Sequence, residues 1–482
     1  MKLVSLAFLA ALRSVAFAQP GVTQPAPAQP PTGTPPPNAA ANPAAANPAA
    51  PSPVLPAPVD PNAPVNSTGG EILSLDRAIE IAMRQQPSLR QSQAALEAAR
   101  GRADLARVAR NPTVVLDGTV GASSGFTITG GNGSAARTSP DFFSHAESTG
   151  LGATANWRIY DFGQTSANIH AADLSADAFA AAIGTTTLDI RTNVEVAYLT
   201  AVADRKLVLV ADTTVRSEDG HLDQARRFVA AQAHDPIEVA QAQARLANAK
   251  SAMAQAQSNE AIALANLRSA IGWVDPTRSP TVAPNWPVPP GTDPQPLTAL
   301  VDTARKNRPE IVQLDKLLAA ADASLDAAHA ERRPVLSATA QTQWTPATGN
   351  WSPQPSWSAG LQLAWPLFDG GKASADIRIA NANVLSASAN RDALLVTLTS
   401  QLDAARSEIV ANRANVAAST EAVSAARAQL QLSEARYAQG LGSQIELADA
   451  QTAVTTAEGN LVQAEFQLAS AWAQLHRAVA QQ

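Results

Sequence analysis

KASADIRIANANVLSASANRDALLVTLTSQLDAARSEIVANRANVAASTEAVSAARAQLQLSEARYAQ, residues 372–439, is a run of 68 residues without one glycine or proline. As a helix rising about 1.5 Å per residue it would reach roughly 100 Å. Leu398, Leu402, Ala405, Ile409, Asn412, Val416, Ser419, Val423, Ala426, Leu430, Ser433 and Tyr437 keep an alternating four-three spacing, and nine of these twelve are apolar. A sustained 3.5-residue period predicts a left-handed coiled coil. A matching ladder runs from Ile190 to Val229, with ten of twelve positions apolar. A soluble globular domain has no use for two helices of this length; they must cross a distance.

Each long helix is predicted to turn back at a short break. In the first, Asp235 is an N-cap, Pro236 sits at the first helical position and Glu238 follows three residues after the cap; in the second, Gly440 and Gly442 break the helix, Ser443 caps and Glu446 follows at three. Both read as capping boxes, which would hold Glu238 and Glu446 to backbone amides. Asp449, one turn further, is not needed for capping and shares a face with Glu446. If several copies met at an axis, these carboxylates would form an anionic ring that favours cations. Tyr437 and Phe228 end the two heptad seams as core candidates.

The pattern is duplicated. Leu75–Pro87 aligns with Leu297–Pro309, and Asn111-Pro112 with Arg333-Pro334, at an offset of 222. Trp157–Gly163 (WRIYDFG) aligns with Trp365–Gly371 (WPLFDGG), and Ile237–Ala240 with Ile445–Ala448, at an offset of 208. Four landmarks in order make the repeat real. Its halves are 71–271 and 297–482, joined by a Pro- and Trp-bearing linker over 272–296. Each half is predicted as a first helix (about 74–110 and 297–332) ending before a proline, two strands, a very long helix and a returning helix.

The strands alternate with period two. Leu151, Ala153, Ala155, Trp157 and Ile159 face one way, and Gly152, Thr154, Asn156 and Arg158 the other. Ala359, Leu361, Leu363 and Trp365 repeat this, and Val114, Leu116 and Val120 do so less cleanly. The pattern suits a membrane-barrel strand and equally a half-buried soluble one. Trp157, Trp344, Trp351, Trp357 and Trp365 near segment ends fit an aromatic girdle or an ordinary core. Four such strands cannot close alone, since small membrane barrels need about eight. A ring of copies is the natural solution.

Composition excludes several classes. The chain has 35 Lys plus Arg against 41 Asp plus Glu, a net charge of −6, which argues against a nucleic-acid binder. It has no cysteine, which removes thiol nucleophiles, iron–sulfur clusters and disulfide scaffolds. Charged residues are 16% and aromatics 4%, so alanine and small aliphatics carry the apolar share. Lys2, the apolar run Leu3–Leu12 and Ala16-Phe17-Ala18 read as a signal peptide over 1–18. Residues 20–66 hold 16 of the 34 prolines, so 19–70 reads as a disordered leader. The Gly130–Gly133 run lacks the Lys-Ser/Thr ending of a phosphate loop and is rejected. The histidines (145, 170, 221, 234, 329, 476) show no metal or triad spacing and read as solvated, so no enzyme, cofactor or metal is expected. The competing non-channel reading is a soluble periplasmic coiled-coil adaptor or scaffold, which predicts one hairpin rather than two.

The duplicated halves, the two strand-to-helix elements and Arg436–Leu441 (RYAQGL) followed by Ile445–Ala450 (IELADA) resemble the TolC-type outer membrane efflux proteins over about 72–480. The resemblance implies an α+β membrane protein: a homotrimer whose chains give four strands each to a shared 12-stranded transmembrane β-barrel, and their coiled-coil hairpins to an α-barrel tunnel in the periplasm. It implies no cofactor and no nucleic acid. The implied partners are outer membrane lipid, a periplasmic adaptor and an inner-membrane transporter of RND or ABC type. Glu238, Tyr437, Glu446 and Asp449 match tip or gate positions, and Gly440, Leu441, Gly442 and Ser443 an adaptor-docking turn. Trp157, Asp161 and Gly163, with Trp365, Pro366, Asp369 and Gly371, match the strand-to-helix elements. A family arginine that helps hold the second tip closed falls on Gly442, so the closing network is altered. The first tip, Phe228–Asp235, lacks the Gly-Leu of Gly440-Leu441.

Overall fold

A computed structural model describes residues 72–125, 144–232, 235–274, 280–287, 294–346 and 353–480. The signal-peptide and leader expectations, the Gly130–Gly133 run, His234 and Trp351 lie outside the described residues.

The order of elements is the same twice. The first half comprises α1 (Leu75–Gln85), α2 (Pro87–Val108), β1 (Thr113–Gly125), β2 (Ser144–Tyr160), α3 (Gln164–Ala230) and α4 (Ile237–Ala270). The second comprises α5 (Leu297–Asn307), α6 (Pro309–Ala330), β3 (Val335–Pro346), β4 (Pro353–Ala364), α7 (Lys372–Ala438) and α8 (Gln444–Val479). Both long helices, α3 and α7, have 67 residues. The single first helix expected in each half is in fact two. Pro87 and Pro309 open α2 and α6, and the residues before them, Gln86 and Arg308, are extended at φ/ψ −65/121 and −71/119. A proline ring disfavours helical geometry in its predecessor, and that breaks both helices at the aligned position.

The short α1 and α5 pack at corresponding places on the long helices. One core gathers Ala78, Ile81, Ile190, Val194, Val202, Leu267 and Ile271; the other gathers Leu300, Ala304, Leu398, Leu402, Ile409, Leu475 and Val479. Ile190/Leu398, Val194/Leu402, Leu267/Leu475 and Ile271/Val479 are each 208 apart, so the duplication extends to the buried side chains.

The four strands form one antiparallel sheet, β1-β2-β3-β4, with β2 and β3 joining the halves. The register resolves what the period-two pattern left open. Val114, Leu116, Ala153, Ala155 and Trp157 share a face with Leu336, Ala338, Ala340 and Trp344 on β3 and with Trp357, Ala359, Leu361 and Leu363 on β4. Thr154, Asn156, Arg158, Thr339, Gln341, Gln343, Ser356, Ser358 and Gln362 share the other. Val114, Leu116, Leu361, Leu363 and Trp357 are exposed, so nothing among the described residues covers the apolar face. Trp157 stands opposite Ala338, and Trp344 lies six residues along β3 from it. At about 3.3 Å per residue the two tryptophan levels are roughly 20 Å apart along the strand, or about 15 Å along the axis of a barrel with strands tilted by about 40°, so both fall within an apolar band of about 25 Å. No helix among the described residues is long and apolar enough to cross a membrane.

Candidate functional site at the helical tips

The residues singled out from sequence fall into two groups at opposite ends of the long helices, about 100 Å apart by helix length. At the sheet end they start the helices. The Asp161 carboxylate accepts from Gly163 N–H (3.3 Å), Thr165 N–H (2.8 Å) and the Thr165 hydroxyl. The Asp369 carboxylate accepts from Gly371 N–H (2.8 Å) and Ala373 N–H (2.7 Å). Gly163 and Gly371 follow at φ +105° and +94°, beyond what an L side chain readily adopts. The Trp157 indole donates to the Arg110 carbonyl (2.9 Å) and the Trp365 indole to the Arg332 carbonyl (3.2 Å). Each half thus closes its preceding helix end with an indole N–H, a symmetry the sequence alignment did not disclose.

At the other end the two hairpins meet. Tyr437 on α7 is 1% exposed, and its ring lies edge-on to Phe228 on α3 with centroids 5.6 Å apart. Its hydroxyl donates to Glu238 Oε2 on α4 at 2.9 Å. Burial first, and the Glu238 carboxylate second, push the phenol far above its ordinary pKa, so it stays a donor at any physiological pH. The Gln444 amide on α8 donates to the Glu238 main-chain carbonyl at 3.0 Å. Gln444 is a residue that the sequence reading missed, because a glutamine beside a cap carries no periodic signal. Glu238 therefore touches both helices of the second hairpin. Further from the tip, Ser217 donates to Gln451 Oε1 (2.7 Å) and the hydroxyls of Thr214 and Thr455 pair at 3.0 Å, both between α3 and α8.

The expected capping boxes are half formed. Ser443 accepts from Glu446 N–H at 3.2 Å, and the Asp235 carboxylate accepts from Ile237 N–H at 3.1 Å. The Glu446 carboxylate does not return to its cap: it pairs with Arg436 Nε at 3.2 Å, where a guanidinium outcompetes a single amide. Glu238 turns to Tyr437. The second turn closes with Leu441 N–H and Gly442 N–H both donating to the Arg436 carbonyl (2.9 and 3.1 Å), with Gly440 at φ +72°. A Cβ on Gly442 would sit 3.1 Å from Tyr437 N and Arg436 Cβ, so this turn is closed over a glycine. Leu441 and Ile445 are exposed at the tip, as is Ile237 at the other. Asp449 is exposed on α8 and flanks a groove of about 620 Å³ between α7 and α8, with Ser419, Thr452, Thr456 and Asn460 along it. No group of three or more His, Asp or Glu among the described residues could hold a metal ion. Two histidines read as solvated are not: His476 is partly buried against Trp472, and His221 is 9% exposed, set among charges on three helices.

An amphipathic sheet with an exposed apolar face, two helices of about 100 Å that each turn back into a helix of about half that length, and polar ties beside the turns match the architecture of an outer membrane channel with a helical tunnel. The sequence profile of the outer membrane efflux protein family matches residues 78–273 and 300–481. The chain belongs to that family. It is 31% identical over 304 residues to Protein CyaE of Bordetella pertussis, a match covering 62% of this chain and 61% of CyaE. The chain thus spans about three fifths of that relative's length. Among solved structures, the Campylobacter jejuni CmeC outer membrane channel superposes with a TM-score of 0.71 at 16% identity, covering 84% of this chain and 85% of that one. The open-state MtrE outer membrane channel of Neisseria gonorrhoeae superposes with a TM-score of 0.67 at 21% identity, covering 84% and 88%. At these identities the likeness shows the fold.

Proposed function

We propose that three copies of this chain close a 12-stranded barrel in the outer membrane and a helical tunnel in the periplasm, forming the exit duct of a tripartite efflux or secretion system. The observation that carries this is the sheet: four strands, one exposed apolar face, and two edges, β1 and β4, without a partner strand among the described residues. Unpaired backbone groups are not tolerated in hydrocarbon, so the edges must pair with other copies. The soluble-adaptor alternative would leave that face in water.

In this reading the ties between hairpins hold the tunnel entrance. Opening separates Tyr437 and Gln444 from Glu238, driven by a periplasmic adaptor and an inner-membrane transporter that engage the Gly440–Ser443 turn, where Leu441 is exposed. Glu446 and Asp449, repeated around the axis, would make the entrance favour cations. The chain itself does no chemistry. The test is fractionation together with planar-bilayer recording of the purified full-length protein. Recovery in outer membranes and a cation-preferring conductance support the reading. Recovery in the soluble periplasm with no conductance rejects it.

A further inference from the structure

One layer of the tip is built unlike the rest. Around His221 on α3 stand Glu218, one turn back on the same helix, Arg245 on α4 and Glu434 on α7. His221 Nδ1 is 3.9 Å from Glu218 Oε2, and Nε2 is 3.6 Å from Glu434 Oε1. Arg245 Nε is 3.6 Å from the same Glu218 oxygen. Glu218 is 5% exposed, and Oε2 has no hydrogen-bond partner among the described residues. Toward α8 the neighbouring ties, Ser217–Gln451 and Thr214–Thr455, are uncharged. The next layer toward the tip holds Tyr437 and Glu238.

With a neutral imidazole this group carries two carboxylates and one guanidinium, a net charge of −1. With the imidazolium it carries none. A buried carboxylate oxygen without a hydrogen bond is costly, and a second cation beside it relieves that cost. The contact His221–Glu434 crosses from the first hairpin to the second, in the same sense as Tyr437–Glu238. A histidine is the side chain whose charge ordinarily changes between about pH 5 and 8.

We propose that His221 is a proton-operated tie between the two hairpins: protonated, it binds Glu434 on α7 while facing Glu218 and Arg245, and tightens the tip; neutral, it releases α7. The channel therefore resists opening in acid and loosens toward neutral pH. This rests on the tunnel reading of the tip given above.

The test is single-channel recording of full-length protein in planar bilayers at about pH 5.5 and 7.5. Wild type is expected to lose about half or more of its open time on acidification, a twofold change that corresponds to about 0.4 kcal/mol shared by the three subunits. His221→Gln should hold the open time of the neutral state at both pH values, and His221→Lys that of the acid state. Glu434→Gln, a half-exposed position that tolerates change, should also abolish the response. A His221→Gln channel that responds to pH like wild type overturns the proposal, as does a wild-type channel with no response in this window. Absence of any conductance from wild type would instead reject the tunnel reading itself.

Discussion

Tyr437 joins two hairpins through one hydroxyl. Tyr437→Phe keeps the ring against Phe228 and removes the donor to Glu238, at a cost of about 1–2 kcal/mol of tip stability per subunit. The expected result is a longer open time in bilayer recordings with unchanged conductance when open. Gly442 makes the opposite point. Gly442→Arg should loosen the turn by about 1 kcal/mol, because its Cβ meets the backbone of Tyr437. Faster amide exchange over 436–446 would show it; slower exchange would mean that the turn adapts. Glu446→Gln with Asp449→Asn should weaken block of the channel by divalent cations, and unchanged block would remove both from the pore axis. Which residues sit at the tip was legible in the sequence, from caps and breaks. Which of them touch was not: Tyr437 and Glu238 are 199 positions apart, and no local period links them.

The helix starts beside the sheet depend on two aspartates. For Asp161, burial alone would raise the carboxyl, but hydrogen bonds from Thr165 and Gly163 and the nearby Arg158 outweigh it and hold it below the ordinary value. The backbone amides of Ala373 and Gly371 hold Asp369 low. A carboxyl with a depressed folded pKa contributes fully above its ordinary value of about 3.9, and that contribution fades as pH falls through the lower folded value. Amide protection over the first turns of α3 and α7 should therefore be flat from about pH 7 to 5 and decline below about pH 4. Asp161→Ala should cost α3 about 1 kcal/mol at neutral pH and remove that helix's share of the acid response. The length of α3 and α7 was legible because their apolar period is uninterrupted over many turns. The breaks at Gln86 and Arg308 were written in Pro87 and Pro309, which the alignment had paired, but the helical pattern on both sides masked them. The sheet needed its register: alternation alone could not say whether four apolar faces coincide.

At the scale of the molecule, the strand pairing that joins β2 to β3 brings Leu151 opposite Trp344, so the sheet cannot form until most of the chain exists. Its outer strands differ from each other: one side ends in β1 and the other in β4. Copies can then join only head to tail, and nothing in the chemistry of such a joint says when to stop; sheet twist alone decides whether the series closes or grows. A copy that accepts a neighbour on β1 but offers none on β4 would act as a terminator. A single proline, at whichever of Ser358 and Ala359 has its amide facing away from β3, should make one; at the other position it would break the β3–β4 ladder instead. Co-expressed in equal amounts with wild type, such a variant should leave only about one ring in eight intact, so export should fall far more than the halving that simple dilution predicts.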